Sequence, residues 1–510
     1  MARMLLAEVV ATSARVAATR SRKEKVTALA DTLALAAPDE IEVVTAYLGG
    51  ALLQRRTGLG WRGVTALPTP HPEPSLLVRE VHEFFDHLAA LSGPGSQAAR
   101  STAVQALFAR ATADEQVWLR GVVTGSVRQG ALDALVQEAL ARASGVPLRV
   151  VRRAAMLAGG TVPIARAAFE GGEEALAAVG LAVGRPALPM LASSAPDLAA
   201  ALAKAGGGRV AVDRKLDGIR IQVHRNGGEV TIATRSLDDI TDRLPEVVEV
   251  VLGLPATSFV LDGEAIALDD GGRPRPFQET ASRTAMAGGV VVTPYFFDVL
   301  HLDGADLLDR PLEERLAALD GLVPEANRVP RLVTDDPAQA AGFVAETLAA
   351  GHEGVVVKSL SAPYDAGRRG AAWVKVKPVH TLDLVVLAVE WGSGRRHGWL
   401  SNIHLGARDA ETGGLVMLGK TFKGMTDEML AWQTERFLEL ALDPDTARDH
   451  YVVPVRPEQV VEIALDGVQR STRYPGGLAL RFARVVRYRD DKPVAEIDTV
   501  QGIRELFSPG

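Results

Sequence analysis

Cysteine is absent from all 510 residues, which excludes disulfides and thiolate-held zinc and removes the residue that most often reports redox compartment. Long apolar runs are missing as well. No stretch reaches the roughly twenty uncharged apolar residues that a membrane-spanning helix needs, and Glu8 interrupts the one N-terminal run, set among Arg3, Arg15 and Arg20, that could have formed a signal-peptide core. The cytoplasm is therefore the expected location, with no membrane partner. There is no internal repeat and no low-complexity tract. Hydrophobic residues at 47% and charged residues at 23% give the balance of a folded globular protein, and the length suggests about three domains.

The net charge of -7 argues weakly against a polyanionic partner. Phosphates, however, are met by patches within a Debye length, about 10 Å in moderate salt. Between Gln469 and Arg489 lie six arginines and no acid: Arg470, Arg473, Arg481, Arg484, Arg487 and Arg489. Such a run is either a solvated face or a phosphate-facing patch.

Up to about Gly184 the apolar residues recur at helical spacing. Leu77, Val81, Phe84, Leu88 and Leu91 line one side of a helix entered through Ser75, and Thr112 with Glu115 has the spacing of a capping box. Two glycine turns stand out, Arg120-Gly121 and Gly125 through Arg128 and Gln129 to Gly130. Glycine ahead of a helix lets backbone N–H groups approach a phosphate, although many such turns are simply helix ends.

From about Arg185 a proline-bearing linker leads into β-patterned segments: Val210 to Leu216, Arg220 to His224, Val230 to Arg235, Phe259 to Leu268, Val290 to Leu300, Val355 to Leu360 and Trp373 to Lys377. Asn226-Gly227 predicts a hairpin turn. Helices over Leu312 to Leu322 and Ala338 to Ala350 make this region α+β. After Pro378 come Leu382 to Trp391, Ile403 to Arg408, Val416 to Phe422, Val460 to Leu465 and Leu480 to Tyr488, strands that suit a small barrel. Gly392 to Arg396 lacks a following helix and reads as a loop between strands rather than a dinucleotide fingerprint.

The chemistry centres on Asp213-Arg214-Lys215-Leu216-Asp217-Gly218-Ile219-Arg220. A lysine is nucleophilic only when neutral, which requires its pKa to be lowered by burial or by nearby cations. Lys375 and Lys377, on a segment expected to return to the same sheet, supply cations. Attack on a nucleotide α-phosphate would give a phosphoramidate, reactive enough to pass the nucleotide on. Taken alone, these few residues would be a strand end and a turn.

An ordered set of further motifs changes that reading. After Lys215 to Gly218 and Arg220 come Arg235-Ser236, Asp262-Gly263-Glu264, Tyr295-Phe296-Phe297-Asp298, Glu353 to Lys358, Trp373 to Lys377, and Arg481-Phe482-Ala483-Arg484 leading to Arg489-Asp490-Asp491-Lys492. In this order and spacing the chain resembles the covalent nucleotidyltransferases, and among them the ATP-dependent DNA ligases.

The resemblance implies an all-α DNA-binding domain over 1–185, an α+β nucleotidyltransferase (adenylation) domain over 186–378, and a β-barrel OB-fold domain over 379–510. It implies that Lys215 receives AMP from ATP, that Asp213 lines the adenine pocket and that Phe297 stacks on the base. Arg220, Arg235 and Glu264 would hold ribose and phosphate, Arg369 would join the nucleotide-binding set, and Lys375 and Lys377 would contact the α-phosphate. Glu353, with Glu264, would position Mg2+. Arg481, Asp491 and Lys492 would orient the leaving group, and Arg128 would grip DNA backbone. Asp213 stands where many members of the family carry Glu, one methylene longer.

The implied activity is sealing nicked double-stranded DNA in repair, replication or recombination, by a monomer able to encircle one nick. RNA ligases and RNA-capping enzymes share the lysine motif, but the long helical N-terminus disfavours both. A non-catalytic DNA-binding scaffold is disfavoured by the full set of charged residues. NAD-dependent DNA ligases normally carry a cysteine zinc module, which this chain cannot build.

Overall fold

The computed structural model describes residues 3–127, 129–130, 133–284, 286, 288–365 and 369–507, apart from the side chains of Arg369 and Phe507. Arg128 and the side chain of Arg369 therefore lie outside the described residues. Among those residues no helix is long and apolar enough to cross a membrane.

Ahead of residue 190 the described secondary structure is helical, built around one apolar core that includes Leu6, Leu33, Tyr47, Phe85, Phe108, Leu119 and Leu140. Helix Ala113–Val123 opens on the anticipated capping box: Glu115 accepts the Thr112 N–H at 2.8 Å and Thr112 Oγ1 accepts the Glu115 N–H at 3.4 Å. Helix Val78–Ala90 starts later than Ser75 suggested and buries Val78, Val81, Phe85 and Leu88, leaving Phe84 half-buried. The cause is the preceding segment, which is kept extended by pairing of Leu5 with Leu77 and by the Leu6 N–H on Leu76 O at 2.8 Å. Gly121 is not in a turn. It lies inside helix Ala113–Val123 with Val127 packed close above it, whereas Gly125 and Gly130 do take left-handed φ.

The middle region carries β1 (Leu191–Ser194), β2 (Val210–Lys215), β3 (Ile219–Asn226), β4 (Glu229–Thr234), β5 (Ser258–Ile266), β6 (Thr293–Leu302), β7 (Ala305–Asp306), β8 (Arg331–Thr334), β9 (Gly354–Ser359) and β10 (Arg369–Val376). They form two sheets, ordered β1-β10-β9-β2-β8 and β4-β3-β5-β6-β7. Asn226 and Glu229 close the expected β3–β4 hairpin, and helix Leu312–Leu322 falls where its periodicity put it. Val210, Val212, Val355, Val357 and Val374 pack the first sheet against helices Leu198–Lys204 and Pro337–Ala349. Helix Leu312–Leu322 covers the second sheet, fastened by a fully buried Arg315–Asp298 pair at 2.7 Å.

The helical region is joined to the middle region by exposed ion pairs, Arg153–Asp309 and Arg55–Asp238, by apolar packing and by a clamped connecting segment. Met156 and Leu157 share an apolar cluster with Met190, Tyr364 and Trp373, and Phe297 packs against it. The connecting segment is clamped to β3: His224 Nδ1 accepts the Gly184 N–H at 3.1 Å, and the Gln222 amide bonds both N–H and C=O of Ala187 at 2.8 and 3.2 Å.

The last region is sheet-rich: β11 (His380–Trp391), β12 (Leu400–Arg408), β13 (Leu415–Thr421), β14 (Val452–Pro454), β15 (Val460–Leu465), β16 (Gly467–Arg470), β17 (Leu478–Arg481) and β18 (Arg484–Tyr488). The main sheet runs β13-β12-β11-β15-β18, β14 adds to β11, and β16 pairs with β17. The single strand expected over Leu480 to Tyr488 is broken, because Phe482 has φ +54°, so β17 and β18 join different partners. Helices Asp427–Glu439 and Val500–Phe507 were not anticipated. Among the described residues the sheet is not laddered into a closed barrel. Its outer strands β13 and β18 approach through the Val485 N–H on Lys423 O at 2.9 Å and Thr421 Oγ1 on Ala483 O at 2.5 Å.

Candidate active site

Strand register explains how residues far apart in sequence meet. Lys215 pairs with Gly354 across β2 and β9, so Glu353, just before β9, stands beside Lys215. Val376 pairs with Val355 across β9 and β10, so Lys377, just after β10, returns to the same point. The Glu353 carboxylate bridges both amines, Oε2 to Lys215 Nζ and Oε1 to Lys377 Nζ. Lys375 lies half-buried on β10 opposite Val356, two residues from Lys377.

Gly354 must be glycine: its φ is +142° and a Cβ would run into Val376 O. Gly218 is equally constrained, because a Cβ there would meet Ala265 O on β5. That close approach lets the Gly218 N–H reach Glu264 Oε1 at 3.2 Å. Glu264 faces Arg220 across β3 and β5.

Burial pulls the Lys215 ammonium below the ordinary lysine range, opposed by Glu264 and Asp217 and assisted by Arg481. Burial lowers Lys377 too, helped by the charge of Lys215. Burial pushes Glu264 up to about 7, against the pull of Lys215 and Arg220. Deep in the cleft, burial would raise the Asp213 carboxyl, but Arg331 and Lys358 hold it below the usual range.

Aromatic and charged groups surround Asp213. Lys358 Nζ is 2.7 Å from Asp213 Oδ2 and stands 4.4 Å from the Phe297 ring centre and 4.2 Å from that of Trp373. Phe297 and Trp373 meet edge to face at 5.8 Å. Arg220 is locked in place, bidentate to Asp262 at 3.1 and 2.7 Å and donating to Met190 O at 2.7 Å, while Tyr364 donates to the same Asp262 at 2.6 Å. Arg235 stands exposed just past β4, and among the described residues no hydrogen bond or ion pair joins it to this group.

The last region also reaches the lysines. Asp466 Oδ2 is 3.3 Å from Lys377 Nζ, and Arg481 donates to Asp217 at 2.9 Å, two residues beyond Lys215. Four of the six arginines of the run are thus tied to carboxylates, while Arg470 and Arg473 stand exposed. Arg484 pairs with Asp466, Arg487 with Glu462, and Arg489 with Asp383 and Asp491. Asp491 and Lys492 belong to that second group, Lys492 bonding Asp383 at 2.7 Å, and neither contacts Lys215, Lys377 or Glu353.

Asp466 and Arg331 escaped the sequence reading. Asp466 carries a weak local cue, an acid at a strand end before Gly467, whereas Arg331 opens a four-residue strand with no cue at all. Chemically, the cluster offers a half-buried amine, further cations for phosphate, an aromatic face and several carboxylates, Glu353 and Glu264 among them. No group of three or more metal-binding side chains occurs among the described residues. Magnesium needs only one or two carboxylates when substrate phosphates supply the other oxygens.

Three segments of the chain match family models. Residues 65–141 match "DNA ligase N terminus", 189–377 match "ATP dependent DNA ligase domain" and 396–492 match "ATP dependent DNA ligase C terminal region". A protein of Nocardioides sp. named "Probable DNA ligase" is 74% identical, with 99% of each chain covered. Another of that name from Kineococcus radiotolerans is 68% identical over 99% of this chain and 100% of its own. The solved structure of Pmar-Lig_PreS3 is similar in fold, at TM-score 0.61 and 17% identity, over 94% of this chain and 99% of that one.

Proposed function

The chain belongs to the ATP-dependent DNA ligase family, and we propose that Lys215 is the amine on which it carries AMP. It is a DNA ligase, an enzyme that uses ATP as its nucleotide substrate. Its architecture is the nucleotidyltransferase-type ligase fold, with a helical N-terminal region and a sheet-rich C-terminal one. The observation that carries the proposal is the meeting of Lys215, Glu353 and Lys377 at the ends of β2, β9 and β10, where burial opposes the amine's charge.

In the first step Lys215 Nζ attacks the α-phosphorus of ATP. A P–N bond forms, the bond to the bridging oxygen of the β-phosphate breaks, and pyrophosphate leaves. The 5'-phosphate of a nick then attacks the same phosphorus, breaking the P–N bond and returning the amine. Finally the adjacent 3'-hydroxyl attacks the 5'-phosphate and AMP departs. Lys377 and Lys375 stabilise charge on the α-phosphate, and Arg481 orients the leaving group. Phe297 stacks on the base beside Asp213, while Arg220, Arg235, Glu264 and Arg369 serve ribose and phosphate. Magnesium fits the donors present, Glu353 and Glu264 together with ATP oxygens, and when bound neutralises charge on the departing pyrophosphate.

The substrate is nicked duplex DNA, gripped by the helical region through turns such as Gly125 to Gly130 and Arg128. We divide the chain after residues 185 and 378 and read the last part as an OB-fold. The near-closure of β13 on β18 supports that reading. One chain would serve one nick, as a monomer in the cytoplasm. Incubation with α-labelled ATP and magnesium tests the central step. Wild type should form an acid-labile, alkali-stable adduct and lose it to nicked duplex. The same adduct on Lys215→Ala would overturn the proposal.

A further inference from the structure

Arg331 has no part in the steps above, yet it is bonded into the same group of side chains. It opens β8 directly opposite Asp213 on β2. Its guanidinium clasps the Asp213 carboxylate through Nε and Nη2, at 2.5 and 2.9 Å, and Nη2 also donates to Phe297 O at 3.1 Å. Nη1 makes no hydrogen bond among the described residues. Lys358 sits on the same carboxylate, so two cations serve one anion where a purely structural pair needs one. The Asp213 and Arg331 side chains are 3% and 12% exposed. Asp213 precedes Lys215 by two residues on one strand, so both face the same side of the sheet.

We propose that Arg331 is a specificity-determining residue: clasped to Asp213 beside Phe297, it presents a donor next to the carboxylate's acceptor and so selects adenine over guanine. Adenine offers its exocyclic amino donor next to a ring-nitrogen acceptor, the complement of that pair. Guanine places the O6 acceptor where the amino group would be. Guanine would set its O6 against a carboxylate oxygen, acceptor facing acceptor, and sites built around such hydrogen bonds discriminate strongly. Arg331 also answers the shortness of Asp213. The carboxylate, one methylene short of Glu, is fixed by an arginine from the neighbouring strand that adds a second reading group.

The inference rests on the placement of the base beside Phe297, but it can be tested apart from the lysyl chemistry. ATP and GTP binding is measured by calorimetry on the full chain carrying Lys215→Ala, alone and combined with Arg331→Met, Arg331→Lys or Asp213→Asn. Adduct formation with each labelled nucleotide is followed in the Lys215 background. We expect Arg331→Met to cut the ATP preference at least ~10-fold, mostly by weakening ATP, with Arg331→Lys restoring part of it and Asp213→Asn losing it too. If ATP and GTP weaken together and their ratio stays within about twofold in all three variants, Arg331 is only a strand fastener and the proposal fails. An adduct that persists without Lys215 would instead defeat the carrier assignment, leaving the binding ratios to decide this one.

Discussion

Lowering the pH from 7 to 5 should loosen the segment that connects the helical region to the sheets, and His224 sets the size of the effect. Its imidazole is buried on β3, with Nδ1 accepting the Gly184 N–H at 3.1 Å and Nε2 donating to Gln222 Oε1 at 2.9 Å. A second proton, on Nδ1, would set donor against donor. Burial, with a smaller push from His301, lowers this histidine from 6.5 to about 4. The unfolded chain takes up the proton near pH 6.5 and the folded one does not. Stability is therefore full above that pH, declines as the pH drops, and reaches its full loss near pH 4. A gap of about 2.5 pH units at 1.36 kcal/mol each gives roughly 3 kcal/mol in all, and about 2 kcal/mol at pH 5. Carboxylates titrate too, so the assay compares wild type with His224→Gln by urea unfolding at pH 7, 6 and 5, with hydrogen exchange at the Gly184 and Ala187 amides. Wild type should lose about 2 kcal/mol more than the variant by pH 5. Parallel losses in the two proteins would refute the reasoning.

Replacing Arg315 with methionine would strand Asp298 in the core, and urea unfolding should register a loss of about 3–5 kcal/mol; a loss below about 1 kcal/mol would mean the pair is idle. Gly218→Ala should reduce adduct formation by ~100-fold, because the new Cβ displaces the lysine-bearing turn from β5, and near-normal labelling would contradict the close packing. Arg481→Ala should slow adduct formation by roughly 10–100-fold while sealing of a nick supplied already adenylated is retained, and equal loss of both would remove Arg481 from the first step.

Periodicity was a reliable guide where the burial pattern is regular. Leu312–Leu322 and Val460–Leu465 lie where their apolar spacing put them. It failed where an element is short or where its buried face includes polar groups. Leu191–Ser194 and Arg331–Thr334 are four-residue strands made by their neighbours. Helix Asp427–Glu439 buries Gln433 between Leu430 and Phe437, which blurs the apolar stripe. Nothing local told of the left-handed Phe482 that splits β17 from β18. At the site, Lys215, Glu353 and Lys377 were legible through the ordered motifs that carry the family resemblance, and the strand register brings those three together. Asp466 and Arg331 were not legible, since their meaning lies in pairing with partners 89 and 118 positions away.

The two attachments of the central sheets differ in kind. Toward the N-terminus, the exposed ion pairs Arg153–Asp309 and Arg55–Asp238 are backed by an apolar cluster in which Met156 and Leu157 pack with Trp373 and which does not depend on charge. Toward the C-terminus, the described links are polar, Asp466 with Lys377, Arg481 with Asp217 and Phe277, and Gln278 with Arg470 O, and no buried apolar cluster spans that seam. Electrolyte should thus act as a selective solvent for one joint, freeing the C-terminal region to swing while the other two parts travel as a unit.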